Sequence, residues 1–166
     1  MEELGNLVAR VRMACAYYVA NTTTTLVLGT CDRTERMLGT VTKYGDDAAD
    51  VHPLGGLYRT EVVALGRELG LPDRVVDQPS TLESAIGRRE EAAFGASFDV
   101  IDAVLERLVD RDIGIERTAE ELDADQEVVR RFAGDHVRTK HKRAMPPTTA
   151  QRVGPGAFHE LELKFE

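Results

Sequence analysis

Residues 26–35 read Leu26-Val27-Leu28-Gly29-Thr30-Cys31-Asp32-Arg33-Thr34-Glu35. The apolar run is too short for a helix and reads as a buried strand. It stops at Gly29-Thr30 and gives way to acids, a base and hydroxyls. Asp32 stands where a helix N-cap belongs, and Glu35 completes a capping-box spacing three residues on. The helix so opened should pass through Met37 and Leu38 towards Lys43. A strand that feeds a helix through a polar tip is half of a βα unit. In open α/β sheets, ligands bind beyond such tips.

Before this stretch, Leu4, Leu7, Val8, Val11, Cys15, Tyr18 and Val19 recur at steps of three and four, which predicts a helix over 4–20. Asn21 and four threonines should break it. After it, residues 44–57 form a loop dense in Gly and Asp. Thr60–Leu69 is a second amphipathic helix, with Gly70 as its stop and Pro72 beyond. Residues 77–96 read as a long polar loop with local order at Ala92–Phe94. Ser97 opens a third helix whose stripe is Phe98, Ile101, Val104, Leu105 and Leu108. Two or three short helices follow from Ile115 to Arg143, ending in Arg138, Lys140, His141, Lys142 and Arg143. Pro146-Pro147 stops them. The tail, 151–166, alternates enough for a short strand. Helices dominate, and one strand cannot stand alone. The chain reads as the second half of an α/β domain.

The chain has 166 residues, enough for one domain with a core. Its net charge is −8 and its pI about 5.1, which argues against whole-surface attraction to nucleic acid or anionic lipid. Lysine occurs only at 43, 140, 142 and 164. No run approaches a membrane span, and MEELGNLVAR lacks a basic signal-peptide start, so the expected location is cytoplasmic. Cys15 and Cys31 have no CxxC spacing and no clustered histidines, and suggest neither a disulfide scaffold nor a zinc site.

Three stretches carry candidate chemistry. Thr30 at the strand tip could contact a phosphate or base, and Glu35 suits a magnesium ion carried by a nucleotide; the same residues also serve as simple helix caps. In TKYGDDAADVHPLG, Lys43 can neutralise a phosphate, and Asp46 and Asp50 can accept from a ribose or an amine; a solvated acidic loop is the alternative. In TKHKR, 139–143, the cations either bind phosphate or complement a helix C-terminus. A rival reading takes residues 115–143 as a helix-turn-helix DNA-binding module with Arg130 and Arg131 on its second helix. Asp123, Asp125, Glu127 and Asp135 oppose it, because they set acid against a phosphate backbone.

Taken together, GNLVARVRM at 5–13, LVLGT at 26–30, Thr34-Glu35, TKYGDDAADVHPLGGLYRTEV at 42–62, ELGLP at 68–72, FGASFDVID at 94–102 and HKRAMPP at 141–147 resemble the C-terminal part of ammonia-dependent NAD+ synthetases. The resemblance implies an α/β fold: the C-terminal part of an adenine nucleotide alpha hydrolase-like (Rossmann-like) domain, helix-rich with few parallel strands. It implies a partial domain over 1–150 and a tail over 151–166. Members of the family adenylate deamido-NAD+ with ATP and then amidate it with ammonia. By position, Arg10, Lys43, Asp50, His141 and Lys142 would contact deamido-NAD+. Thr30, Arg59 and Ser80 would contact ATP, with Arg59 standing where the family usually has lysine, and Glu35 would ligate Mg2+. The family is homodimeric, so part of the 4–20 stripe could be an interface.

The departures shape the expectation. The family's Ser-Gly-Gly-x-Asp-Ser pyrophosphate loop does not occur. Cys31-Asp32-Arg33 replaces a more typical Gly-Asn-Lys, and 81–93 has lost the family's Trp-Pro-Gly-Gln-Thr-Asp-Glu character. Without backbone N–H groups cradling the triphosphate, the chain is expected to be a truncated form with little synthetase activity alone. An N-terminal half supplied in trans would complete it; otherwise it is a non-catalytic, dimerising remnant.

Overall fold

The computed structural model describes residues 2–77 and 94–146. The helices are α1 (Glu2–Thr23), α2 (Arg33–Leu38), α3 (Arg59–Glu68), α4 (Asp73–Val76), α5 (Phe98–Leu105), α6 (Ile115–Leu122) and α7 (Gln126–Arg138). A π-helical turn (Glu106–Asp110) continues α5, and a 3-10 turn (Lys140–Lys142) follows α7. None of these helices is long and apolar enough to cross a membrane. Ser80, the loop 81–93 and the tail 151–166, for which the sequence raises expectations, lie outside the described residues.

The core is helical. Ile101, Val104 and Leu105 of α5 are fully buried and pack with Leu38, Tyr58, Ala119, Val129 and Phe132, so α5 is the post around which α2, α3, α6 and α7 gather. Each such side chain contributes about 1.5–3 kcal/mol by leaving water. Phe94 meets Phe132 edge-on, with ring centroids 6.4 Å apart. The stripe read from the sequence for this helix is thus the centre of the molecule.

The 26–28 run is not a buried strand. Among the described residues, parallel pairing is confined to one bridge, Leu28 with Val51. Gly29 N–H donates to Val51 O at 2.8 Å and Asp50 N–H to Val27 O at 3.0 Å. Leu26 and Leu28 are 67% and 64% exposed. The run has the composition of a sheet centre, but burial requires neighbouring strands and a covering layer, and among the described residues only the 50–51 segment pairs with it.

Helix α1 departs from expectation in a second way. It runs on through Thr23, whose hydroxyl, like that of Thr22, bonds back to Val19 O. Its apolar stripe does not enter the core: Leu4, Leu7, Val8, Val11, Tyr18 and Val19 are all exposed. The opposite side does the docking. Asn6 Oδ1 accepts from Thr42 Oγ1 at 2.7 Å, Arg10 Nε donates to Lys43 O at 3.3 Å, and Tyr17 OH donates to Asp50 Oδ1 at 3.4 Å. Gly45 lets the loop pass close to this side, because a Cβ there would stand 2.9 Å from Ala9 Cβ.

Candidate functional site

The strand tip folds as the capping pattern requires. Asp32 Oδ1 accepts from Glu35 N–H at 2.8 Å, and Glu35 Oε2 accepts from Asp32 N–H at 3.0 Å, a reciprocal capping box at the start of α2. Helix α2 is shorter than expected. It ends at Leu38 because Gly39 takes a left-handed conformation, φ 73°, and turns the chain. Thr30 lies exposed two residues before the cap.

Asp32 Oδ2 is buried and has no hydrogen-bond partner among the described residues, with Arg59 Nη1 3.7 Å away. Burial raises the Asp32 carboxyl above the usual carboxylate range, against the opposing pull of the Glu35 N–H and Arg59. Arg59 also lies over the Phe98 ring, 5.9 Å from its centroid. Thr30, Glu35 and Arg59, three of the residues the resemblance assigns to ATP and its metal, therefore border one tip.

A second group joins α1, the 42–50 loop and the end of α7. Lys43 Nζ donates to Ala144 O at 3.1 Å and to His141 O, while Arg10 holds the Lys43 carbonyl. Lys142 follows His141 in the same 3-10 turn. Arg10, Lys43 and the backbone at His141, read from segments about a hundred residues apart, are thereby brought together, whereas the ammonium of the neighbouring Lys142 turns to Gly39 O and Val41 O. Asp50 stands apart from this set: its Oδ2 accepts from Val27 N–H at 2.7 Å and fixes the parallel bridge. Asp46 likewise closes its own loop, accepting from Thr42 N–H at 2.6 Å.

Two cations of the basic run answer backbone carbonyls near the end of α2, and Arg143 Nη2 also donates to His136 O in the last turn of α7 itself. Lys142 Nζ donates to Gly39 O at 2.6 Å and Val41 O at 2.8 Å. Arg143 Nη1 donates to Arg36 O at 2.9 Å and Met37 O at 3.0 Å. Arg36 O and Met37 O are orphan carbonyls of the last turn of α2, and Gly39 O and Val41 O belong to the turn just beyond it; cations from the far end of the fold answer both sets. Burial and the neighbouring Arg36 charge lower the Arg143 pKa, with Asp47 opposing.

Two hydrogen-bonded groups support these elements without having been assigned a role from the sequence. Thr34 Oγ1 donates to Asp102 Oδ1 at 2.6 Å and accepts from Arg59 N–H at 2.9 Å, while Asp102 Oδ2 accepts from Thr60 N–H at 2.9 Å. Together they cap α3 from outside and so position Arg59. Tyr58 OH donates to Asp110 Oδ2 at 2.8 Å, and Arg33 pairs with the other oxygen. Burial pushes the Tyr58 hydroxyl up despite Arg33.

The helix-turn-helix shape is present in α6 and α7, with Asp123 left-handed at the turn and Asp125 as N-cap. Its second helix turns Val129 and Phe132 into the core. Arg130 pairs with Glu127 and Arg138 with Asp135. Acid therefore lies beside the arginines that a DNA backbone would need.

The NAD synthase family profile matches residues 2–146. The chain is 40% identical over 143 residues to the NH(3)-dependent NAD(+) synthetase of Staphylothermus marinus, covering 86% of this chain and 52% of that protein. It is 42% identical over 144 residues to the enzyme of the same name from Halobacterium salinarum, covering 87% and 54%. An NMN synthetase structure from Francisella tularensis superposes with a TM-score of 0.72 at 28% identity, over 89% of this chain and 56% of that one. The NH3-dependent NAD synthetase of Campylobacter jejuni, in complex with a nitrate ion, gives 0.70 at 28%, over 90% and 56%. The chain thus spans about half the length of the curated relatives it matches. On the family match and the two relatives together, the chain belongs to the NAD synthase family.

Proposed function

We propose that residues 1–146 supply the deamido-NAD+-binding part and the metal-bearing rim of an ATP-dependent, ammonia-using NAD+ synthetase. The observation that carries this reading is the joining of Arg10 and Lys43 to the turn that carries His141 and Lys142. A dinucleotide presents two phosphates, and cations on a hydrogen-bonded frame suit them. Asp50 is the acceptor proposed for a ribose or amine. Thr30, Arg59 and Ser80 are proposed for ATP, whose phosphates would be gripped mainly by sequence outside residues 1–166.

Glu35 fits a magnesium ion bound with nucleotide, since Mg2+ usually takes only one or two carboxylates and fills its shell with phosphate and water. The capping box orients this carboxylate without removing it from the partly exposed rim. When bound, the ion neutralises triphosphate charge. The chain's own groups bind and orient the acid to be amidated. The exposed stripe of α1 supports a homodimer, because contiguous apolar surface of this kind marks an interface.

Titration calorimetry of the purified chain with deamido-NAD+ tests the reading, with the mononucleotide acid as competitor. Saturable binding lost in Lys43→Ala supports it. Equal, weak binding to both proteins overturns it. Amide synthesis is expected only when the N-terminal half of a relative is added.

A further inference from the structure

Cys31, Asp47 and His52 have no metal-ligand spacing in sequence, yet the fold gathers them. One ligand atom from each lies within 4.8 Å of the other two. We propose that these three residues bind one borderline-soft divalent cation of the zinc class, which clips the 46–52 loop to the strand tip. The proposal is independent of the NAD+ synthetase reading.

Four observations carry it. The first is distance. Tetrahedral zinc holds its ligands roughly 3.3–3.8 Å apart given bonds of about 2.0–2.3 Å. The three ligand atoms, within 4.8 Å of one another, stand no more than about 1 Å outside that spacing.

The second is His52. Its Nε2 faces Asp47 O at 3.2 Å and Asp47 Oδ1 at 3.9 Å. Its Nδ1 is buried and has no hydrogen-bond partner among the described residues. An imidazole that carries one proton keeps a lone pair on its other nitrogen, and the tautomer decides which of the two that is. A buried polar atom left unanswered calls for an ion or a water.

The third is the seat. The ring lies against Gly29, where a Cβ would stand 2.3 Å from Nδ1. Cys31 is buried directly before the N-cap of α2, and its Sγ faces Asp46 O at 3.2 Å. Arg36 Nε bonds Asp47 Oδ1 at 3.1 Å and orients the carboxylate, as outer-shell donors do at metal sites.

The fourth is chemistry. Thiolate with imidazole selects zinc-class ions, whereas magnesium and calcium prefer oxygen. On binding, the Cys31 S–H bond breaks, a sulfur–metal bond forms, and the proton leaves to solvent. Burial, and then the carboxylates of Glu35, Asp46, Asp47 and Asp32, hold the Cys31 thiol well above its ordinary range, so the thiolate forms only with a cation there to offset that charge.

Cobalt titration of the chelator-treated full chain is the test, read by absorption. The expected result is saturation at one equivalent, with a sulfur-to-cobalt charge-transfer band that zinc removes and excess magnesium does not. Cys15→Ser keeps the band. Cys31→Ser abolishes it, and His52→Ala weakens binding at least about tenfold. Zinc should also raise the thermal midpoint of the wild-type chain. Cobalt binding without the sulfur band overturns the proposal, as does a band undiminished in Cys31→Ser. The wild-type titration decides even if a variant fails to fold.

Discussion

Thr34 donates its hydroxyl proton to Asp102 Oδ1 at 2.6 Å, across 68 residues of sequence and inside the core. The pair ties α2 to α5 and caps α3. Thr34→Val keeps the shape but leaves Asp102 Oδ1 and Arg59 N–H unanswered. The expected cost is about 2–4 kcal/mol in urea unfolding. Burial raises the Asp102 carboxyl above its ordinary range, so the neutral Asp102→Asn should cost less than Thr34→Val.

Gly39→Ala strikes the end of α2. The backbone there is left-handed, and an added Cβ would stand 2.2 Å from Thr139 Cβ. Conformational strain and overpacking together predict a loss of about 2–5 kcal/mol. A midpoint in urea unchanged from wild type would show that Thr139 and the turn move aside freely.

Two cations near one another should separate in their effects. Arg143→Met removes donors from Arg36 O, Met37 O and the Thr139 hydroxyl, and should cost about 1.5–3 kcal/mol of stability. Lys43 sits on exposed carbonyls, so Lys43→Ala should cost under about 1 kcal/mol. Its proposed phosphate contact predicts a fall in deamido-NAD+ affinity of about 10–100-fold. Calorimetry and denaturation on the two variants read both quantities.

His136 sets a pH dependence. Burial lowers its pKa below 6.5, the Arg143 and Arg33 charges lower it further, and the Met37 carbonyl opposes them. Its Nδ1 faces Met37 O at 3.1 Å, which suits a neutral ring protonated at that nitrogen. The unfolded chain therefore takes up the proton first. Stability is present above pH 6.5 and is lost as pH falls from there through the depressed folded value. His136→Asn should flatten the dependence just below pH 6.5, where carboxylates are still ionised. Denaturant midpoints measured across that interval check it.

Local signals were legible and mutual ones were not. The Asp32–Glu35 box, the Gly70 stop and the α5 stripe depend on residues within a turn or two, and each formed as read, whereas the Gly39 stop that ends α2 early was not read. The burial of Leu26–Leu28 depends on neighbours, and its composition describes a sheet that the described residues do not assemble. Periodicity found the stripe of α1 but is silent on which side docks. Lys43 and His141, 98 residues apart, share no local pattern, so only the family resemblance paired them. Cys31, Asp47 and His52 escaped notice for the same reason: spacing rules look for ligands within one or two turns.

Docking by its polar side gives α1 a weak anchor. The hydrogen bonds from Asn6, Arg10 and Tyr17 are exposed or partly so, each worth about 1 kcal/mol net. The helix should therefore detach in small, frequent openings, and its amides should exchange faster than those of α5. Since Arg10 holds the Lys43 carbonyl, each opening also loosens the loop that carries Lys43. Whatever covers the apolar stripe would damp those openings, so assembly at a distant surface would set how stiffly the Lys43 loop is held.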